Sequence, residues 1–184
     1  MTSAPSTTPG VPTALLADRI RRAGAVAAEH DVDLLLITPG TDFRYLLGAS
    51  NPSHERLTCL VLPATGHRAP PALVVPALEA PGLAGLPLAE LGIEMVTWAD
   101  GDDPHLLVSD LAGGPTRLAV VDSMPAAHVL GVRDALPEAA QVLAGPVLRE
   151  LRMRKDAAEL DELRAAGAAI DRVHARMAEF LEPG

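Results

Sequence analysis

Tyr45, His54, Glu55 and Arg56 are the residues whose types best suit holding a small charged molecule, and they lie on either side of a glycine- and proline-bounded loop at residues 48–52. Arginine presents a planar fork of N–H donors that matches a carboxylate, and loops leading into a strand are where a rigid scaffold displays such groups. The same residues also suit a plain surface ion pair between Glu55 and a neighbouring arginine. Both readings stand on the residues alone.

Stronger chemical patterns begin in this sequence but do not complete. His54 and Glu55 open the spacing of a zinc-binding helix, yet Thr58 occupies the second histidine position. Gly48, Ala49 and Ser50 begin a nucleophile elbow, but Pro52 stands where the closing glycine belongs. Asp100, Asp102 and Asp103 start like a calcium loop, and Pro104 and Leu111 take positions that need ligands, so a solvated turn is expected. Gly113 and Gly114 read as a turn before a strand, not as a phosphate cradle. Cys59 lies within an apolar run, where a thiol packs as a small apolar group and burial raises its pKa. His30, His67, His105 and His128 read as scattered residues without a cluster, and His174 as a core or interface imidazole beside the apolar stripe of the last helix. No catalytic residue and no metal-ligand set is expected in this chain.

The elements that would position these residues are signalled by hydrophobic period. Residues 1–12 are rich in Ser, Thr and Pro and read as a loose tail. Leu16, Ile20, Ala23 and Ala27 then share one helical face up to about His30. Apolar runs of strand length follow at 33–37, 58–62, 72–75, 93–98, 118–121 and 140–144, bounded by Pro, Gly or Asp. Helices are expected over 104–111 and 125–136, both opened by proline. The second and third strands, joined through Thr65, Gly66 and His67, read as a hairpin. The fold class expected is therefore α/β, a three-layer domain over 13–145 with a mixed sheet of about six strands flanked by helices.

Residues 146–184 differ in kind. A short helical stretch through Met153 precedes Asp156 and Glu159, spaced as a capping box. Leu160, Leu163, Gly167, Ile170, His174, Met177 and Leu181 then recur at three- and four-residue steps, which predicts a long helix whose apolar stripe needs a partner surface.

Composition narrows the partners. A formal charge of -9, from 24 acidic and 15 basic residues, disfavours nucleic acid, whose binding requires clustered Lys and Arg. No apolar run approaches the roughly 20 residues that span a bilayer. One cysteine excludes an internal disulfide and the first residues lack a secretory pattern, so a reducing cytoplasm is the expected location.

Several segments together resemble a known family. Residues 41–48, with Tyr45-Leu46-Leu47-Gly48, the strands beginning at Glu55-Arg56 and Leu73, and above all the run 151–160 with Arg152 and Lys155 before an acidic helix start, resemble the amino-terminal domains of the Xaa-Pro aminopeptidase, prolidase and creatinase family. That resemblance implies an α/β domain followed by a "pita-bread" catalytic domain, of which 146–184 would be the junction and first helix. It implies two divalent metals, manganese, cobalt or zinc, held by ligands beyond Gly184, and none in this chain. It implies a homo-oligomer, a dimer foremost, acting on small peptides or other small C–N substrates, with the catalytic domain of the same polypeptide as partner. Arg56, with His54, Glu55 and Tyr45, would contribute to a substrate rim. Two other readings remain open: a stand-alone α/β interaction module, and the amino-terminal domain of a creatinase-like C–N hydrolase.

Overall fold

The structure, a computed structural model, describes residues 11–48 and 55–181. Its framework is a mixed sheet of β1 (Leu34–Ile37), β2 (Cys59–Pro63), β3 (Ala72–Pro76), β4 (Glu94–Trp98), β5 (Arg117–Val120) and β6 (Ala140–Leu143), in the order β4-β3-β2-β1-β5-β6. Six α-helices accompany it among the described residues: α1 (Thr13–Glu29), α2 (Thr41–Leu47), α3 (Pro104–Leu111), α4 (Ala126–Ala135), α5 (Gly145–Met153) and α6 (Ala157–Ala175). The expected α/β class, the strand count and the mixed sheet are all present.

The apolar runs explain the strand order. Every residue of β1 is buried, which requires cover on both faces, and β1 sits inside the sheet between antiparallel β2 and parallel β5. β4 and β6 carry exposed positions at their ends or along their length, as edge strands do. β2 and β3 form the expected antiparallel hairpin, and Gly66, with φ of 91°, supplies the left-handed turn residue. β3 and β4 are parallel, as are β5 and β6, so five strands run one way and β2 alone runs against them.

α1 buries Leu16, Ala23 and Ala27, together with Arg19 and Gly24. At Gly24 a side chain would meet the carbonyl of Pro63 at 3.2 Å, and its carbonyl accepts Thr65 N–H, so the helix backbone lies directly against the end of β2. α3 is capped by Asp103, whose carboxylate accepts the N–H groups of His105 and Leu106, with Pro104 in the first turn where its missing N–H costs nothing.

Two elements differ from the expectation. α2 was not signalled as a helix: its seven residues are too short for a periodic pattern, and it is defined instead by burial of Phe43, Tyr45, Leu46 and Leu47 and by a left-handed Gly48 cap. The last helix stops at Ala175 although its apolar steps continue to Leu181. The Arg176 N–H reaches back three residues to Val173, tightening the chain into a 3-10 turn over Met177–Glu179.

The chain divides into two compact units, 1–151 and 152–184. In the second, Asp156 accepts Glu159 N–H at 2.8 Å and the Glu159 carboxylate accepts Asp156 N–H at 3.0 Å, the capping box read from the sequence. No described helix is long and apolar enough to cross a membrane.

Candidate functional site

Because β2 alone runs against the other strands, the segment entering it lies at the end of the sheet where β1, β3, β4, β5 and β6 finish. In open α/β sheets the crevice outside the carboxyl ends of the strands is the usual place for a ligand. Glu55 and Arg56 sit on that segment.

The segment is anchored residue by residue. Trp98, the last residue of β4, donates its indole N–H to the Leu57 carbonyl at 3.0 Å. Arg56 Nη2 lies 3.1 Å from Asp100 Oδ2, on the turn leading to α3. His128, in the first turn of α4, hydrogen-bonds the backbone of Glu55. Thr58 donates its hydroxyl to Glu79 at 3.3 Å. Arg56 is one-third exposed, so part of its guanidinium edge still faces solvent.

The four rim candidates do not share one environment. Glu55 is exposed, Arg56 half-buried, and Arg56 pairs with Asp100, a partner far along the sequence that the expected ion pair with Glu55 had not anticipated. Tyr45 is buried in α2, with the Arg19 guanidinium 4.3 Å above its ring and Arg19 Nη1 donating to its carbonyl at 3.0 Å. That is a cation–π contact inside the core, a packing role. His54 lies outside the described residues, as does the loop of the elbow-like Ser50 and Pro52.

Other flagged groups resolve into structural contacts. Asp100 serves Arg56, Asp102 accepts Ala99 N–H at 2.8 Å, and Asp103 caps α3, so the three aspartates act separately. Cys59 is fully buried in β2, and burial pushes its thiol pKa up to about 12 against a weak opposing backbone hydrogen bond from Ile37. His67 bonds the Ala112 carbonyl at 2.9 Å, His30 lies 3.4 Å from Glu150, and His174 is exposed on α6. A depression at the opposite end of the sheet is lined by Asp31, Asp33, His67 and Thr116, but the Asp33 carboxylate there is engaged by Thr116 and Arg117.

One reading is corrected. His105 and His128 are not scattered: His105 Nε2 lies 3.2 Å from His128 Nδ1, with the rings tilted 44° to each other. The available signal was positional. Each histidine follows a proline at the start of a helix in successive strand–helix units, which brings two helix starts to the same end of the sheet.

Among the described residues, no three His, Cys, Asp or Glu side chains are grouped to hold a metal ion. The pair of metals implied by the sequence resemblance therefore has no matching donor set among the described residues.

Residues 19–154 match the family model described as the creatinase/prolidase N-terminal domain. A probable dipeptidase PepE of Mycobacterium tuberculosis is 53% identical over 169 residues, which is 91% of this chain and 44% of that protein. The crystal structure of dipeptidase PepE from Mycobacterium ulcerans superposes with a TM-score of 0.87 at 49% identity, over 95% of this chain and 46% of that one. A recombinant prolidase from Thermococcus sibiricus superposes with a TM-score of 0.74 at 27% identity, over 88% and 43% of the respective chains. The chain thus spans less than half the length of each of these three relatives.

Proposed function

The chain belongs to the creatinase/prolidase N-terminal domain family, and from that premise we propose that it serves a dipeptidase-type metallopeptidase as a non-catalytic domain. Its contributions are oligomerisation, with a homodimer foremost, and a rim that restricts the active site to small peptides of the Xaa-Pro type. The two divalent metals of the activity, manganese, cobalt or zinc, would be held by the catalytic part of the whole polypeptide. We assign the protein to the cytoplasm, in keeping with a single cysteine that is a buried free thiol.

The observation that supports the rim reading best is the anchoring of Glu55, Arg56 and Leu57 at the carboxyl end of the sheet. A guanidinium pre-positioned by Asp100 loses little freedom on meeting a substrate carboxylate, so its binding energy is retained. The name of the relatives, dipeptidase, describes substrates with a free carboxylate close to the scissile bond. Arg56 fits that group in charge and geometry.

The test has two parts. This chain alone, supplied with manganese, cobalt or zinc, is expected to cleave no Xaa-Pro dipeptide; chelator-sensitive turnover that survives repurification overturns the non-catalytic assignment. In the polypeptide that joins the domain to its metal site, Arg56→Ala is expected to raise KM for a dipeptide by roughly tenfold, with kcat little changed, the pattern for lost uniform binding. An equal effect on a substrate whose carboxylate is amidated would remove the carboxylate from the explanation.

A further inference from the structure

His105 and His128 are brought together by two helix starts that lie far apart in sequence. His105 is the second residue of α3 and His128 the third of α4, and His105 Nε2 lies 3.2 Å from His128 Nδ1. One proton between the two nitrogens makes that contact a hydrogen bond. Without it, two imidazole lone pairs face the same gap.

A divalent cation fits the gap in distance and in chemistry. Imidazole nitrogens bind zinc at about 2.0–2.1 Å, so two of them on a tetrahedral ion stand about 3.3 Å apart, close to the 3.2 Å found here. The ring centroids are 5.4 Å apart, so the rings meet nearly end to end. Their lone pairs converge on an ion beside that line after a small rotation about the terminal torsion of each side chain, which is broad for histidine. Among the described residues no third donor closes the site, so water fills the other positions of the ion, reached past the half-buried His105.

The groups behind the pair match a metal site. A metal-binding histidine commonly donates its outer N–H to a carboxylate, which fixes the tautomer and makes the inner nitrogen more basic. Asp103 Oδ1 stands 3.2 Å from His105 Nδ1 in that position. The carboxylate is itself held, accepting the backbone N–H groups of His105 at 2.9 Å and Leu106 at 3.3 Å. With Nδ1–H turned to Asp103, His105 Nε2 presents its lone pair to the gap.

Two further features keep the pair ready for an ion. His128 is buried, and burial first, then the adjacent His105, hold its pKa below the ordinary 6.5, so at neutral pH its ring is uncharged, the form that ligates. Gly131, one turn beyond His128 on α4, leaves the ligating nitrogen uncovered, since a Cβ there would come within 2.6 Å of His105 Nε2 itself.

We propose that His105 and His128 form a two-histidine site for a divalent transition-metal ion of the zinc, nickel or cobalt class, with Asp103 as the carboxylate that orients His105. The ion takes the place of the shared proton, which passes to the outer nitrogen of His128 or to water. It then joins the first turn of α3 to the first turn of α4. The inference rests on these three side chains and Gly131, and it stands whether or not Arg56 meets a substrate.

The experiment titrates the full chain, stripped of metal by a chelator, with Zn2+ at neutral pH while NMR follows the ring nitrogens of its histidines. Zinc is expected to shift His105 Nε2 and His128 Nδ1 together and to raise the unfolding temperature of the wild type. His105→Gln and His128→Gln are each expected to weaken binding at least tenfold, roughly the loss of one of two protein ligands. Asp103→Asn keeps a good cap on α3 and is expected to weaken binding by roughly tenfold, as loss of an outer-shell carboxylate does. Should a glutamine variant fold poorly, the wild-type ring shifts decide by themselves. Zinc that shifts His30, His54, His67 or His174 and leaves His105 and His128 unmoved overturns the site, as does affinity unchanged in all three variants.

Discussion

Asp33 Oδ2 accepts both donors of Thr116, the backbone N–H at 2.7 Å and the hydroxyl at 2.8 Å, and the Arg117 N–H at 3.0 Å. These bonds tie the entry of β1 to the entry of β5 at the parallel pair in the middle of the sheet. Burial pushes the carboxyl pKa up, but the Thr116 and Arg117 donors and the nearby His67 outweigh it and leave a net value below the ordinary 3.8. The unfolded chain therefore protonates Asp33 first, so its contribution is present above about pH 3.8 and disappears as pH falls through the folded value.

Asp33→Ala should accordingly cost about 1–3 kcal/mol at neutral pH, because the two backbone donors lose a charged acceptor. Urea unfolding at pH 7 and again near pH 3 checks it. The difference from wild type should shrink at the lower pH, and equal stability at pH 7 would sink the argument.

Trp98 gives a second prediction and its own reporter, since it is the sole tryptophan. Its N–H satisfies the carbonyl of Leu57, a residue only 1% exposed. Trp98→Phe keeps most of the apolar contact but leaves that carbonyl without its donor, at a cost of about 1–3 kcal/mol. In the wild type the fluorescence should shift to longer wavelength at the unfolding midpoint. Faster amide exchange at 55–57 in the variant would show that the loss falls on the segment entering β2.

Cys59 supplies a chemical test of the core. With its thiol pKa near 12 and its side chain fully buried, it should resist a thiol reagent at pH 8 until the protein unfolds. The labelling rate should rise with denaturant in step with unfolding. Rapid labelling of the native chain would place β2 nearer the surface than its neighbours β1 and β3 allow.

The parts of this fold legible in the sequence are those whose signal is local. Apolar runs bounded by Pro, Gly or Asp marked all six strands, and Asp156 with Glu159 marked the start of α6, because each pattern is complete within a few residues. α2 escaped because seven residues, held by tertiary burial of Phe43 and Leu46, carry no readable period. At the candidate site Arg56 was visible, but its partner was not: Asp100 is separated from it by 44 residues, and only the parallel pairing of β3 with β4 brings them together. His105 and His128 were hidden for the same reason, since their contact depends on the packing of α3 beside α4.

Gly131 turns that hidden contact into a question of sign. In an open mid-helix position, Gly→Ala is favourable by about 1 kcal/mol, and Gly167 on α6, with no atom within 4 Å of its missing Cβ, should show that gain. At Gly131 the new methyl would come within 2.6 Å of the His105 ring, which could move only by giving up its bonds to Asp103 and His128. Gly131→Ala is therefore expected to destabilise, despite alanine's better propensity. In a His105→Ala background the obstacle is gone, and the same change should become stabilising by up to about 1 kcal/mol. Thermal or urea unfolding of the four proteins in this double-mutant cycle measures the coupling directly. Additive effects would mean that the His105 ring does not rest on Gly131 in solution, whereas a reversal of sign would locate the ring against Gly131.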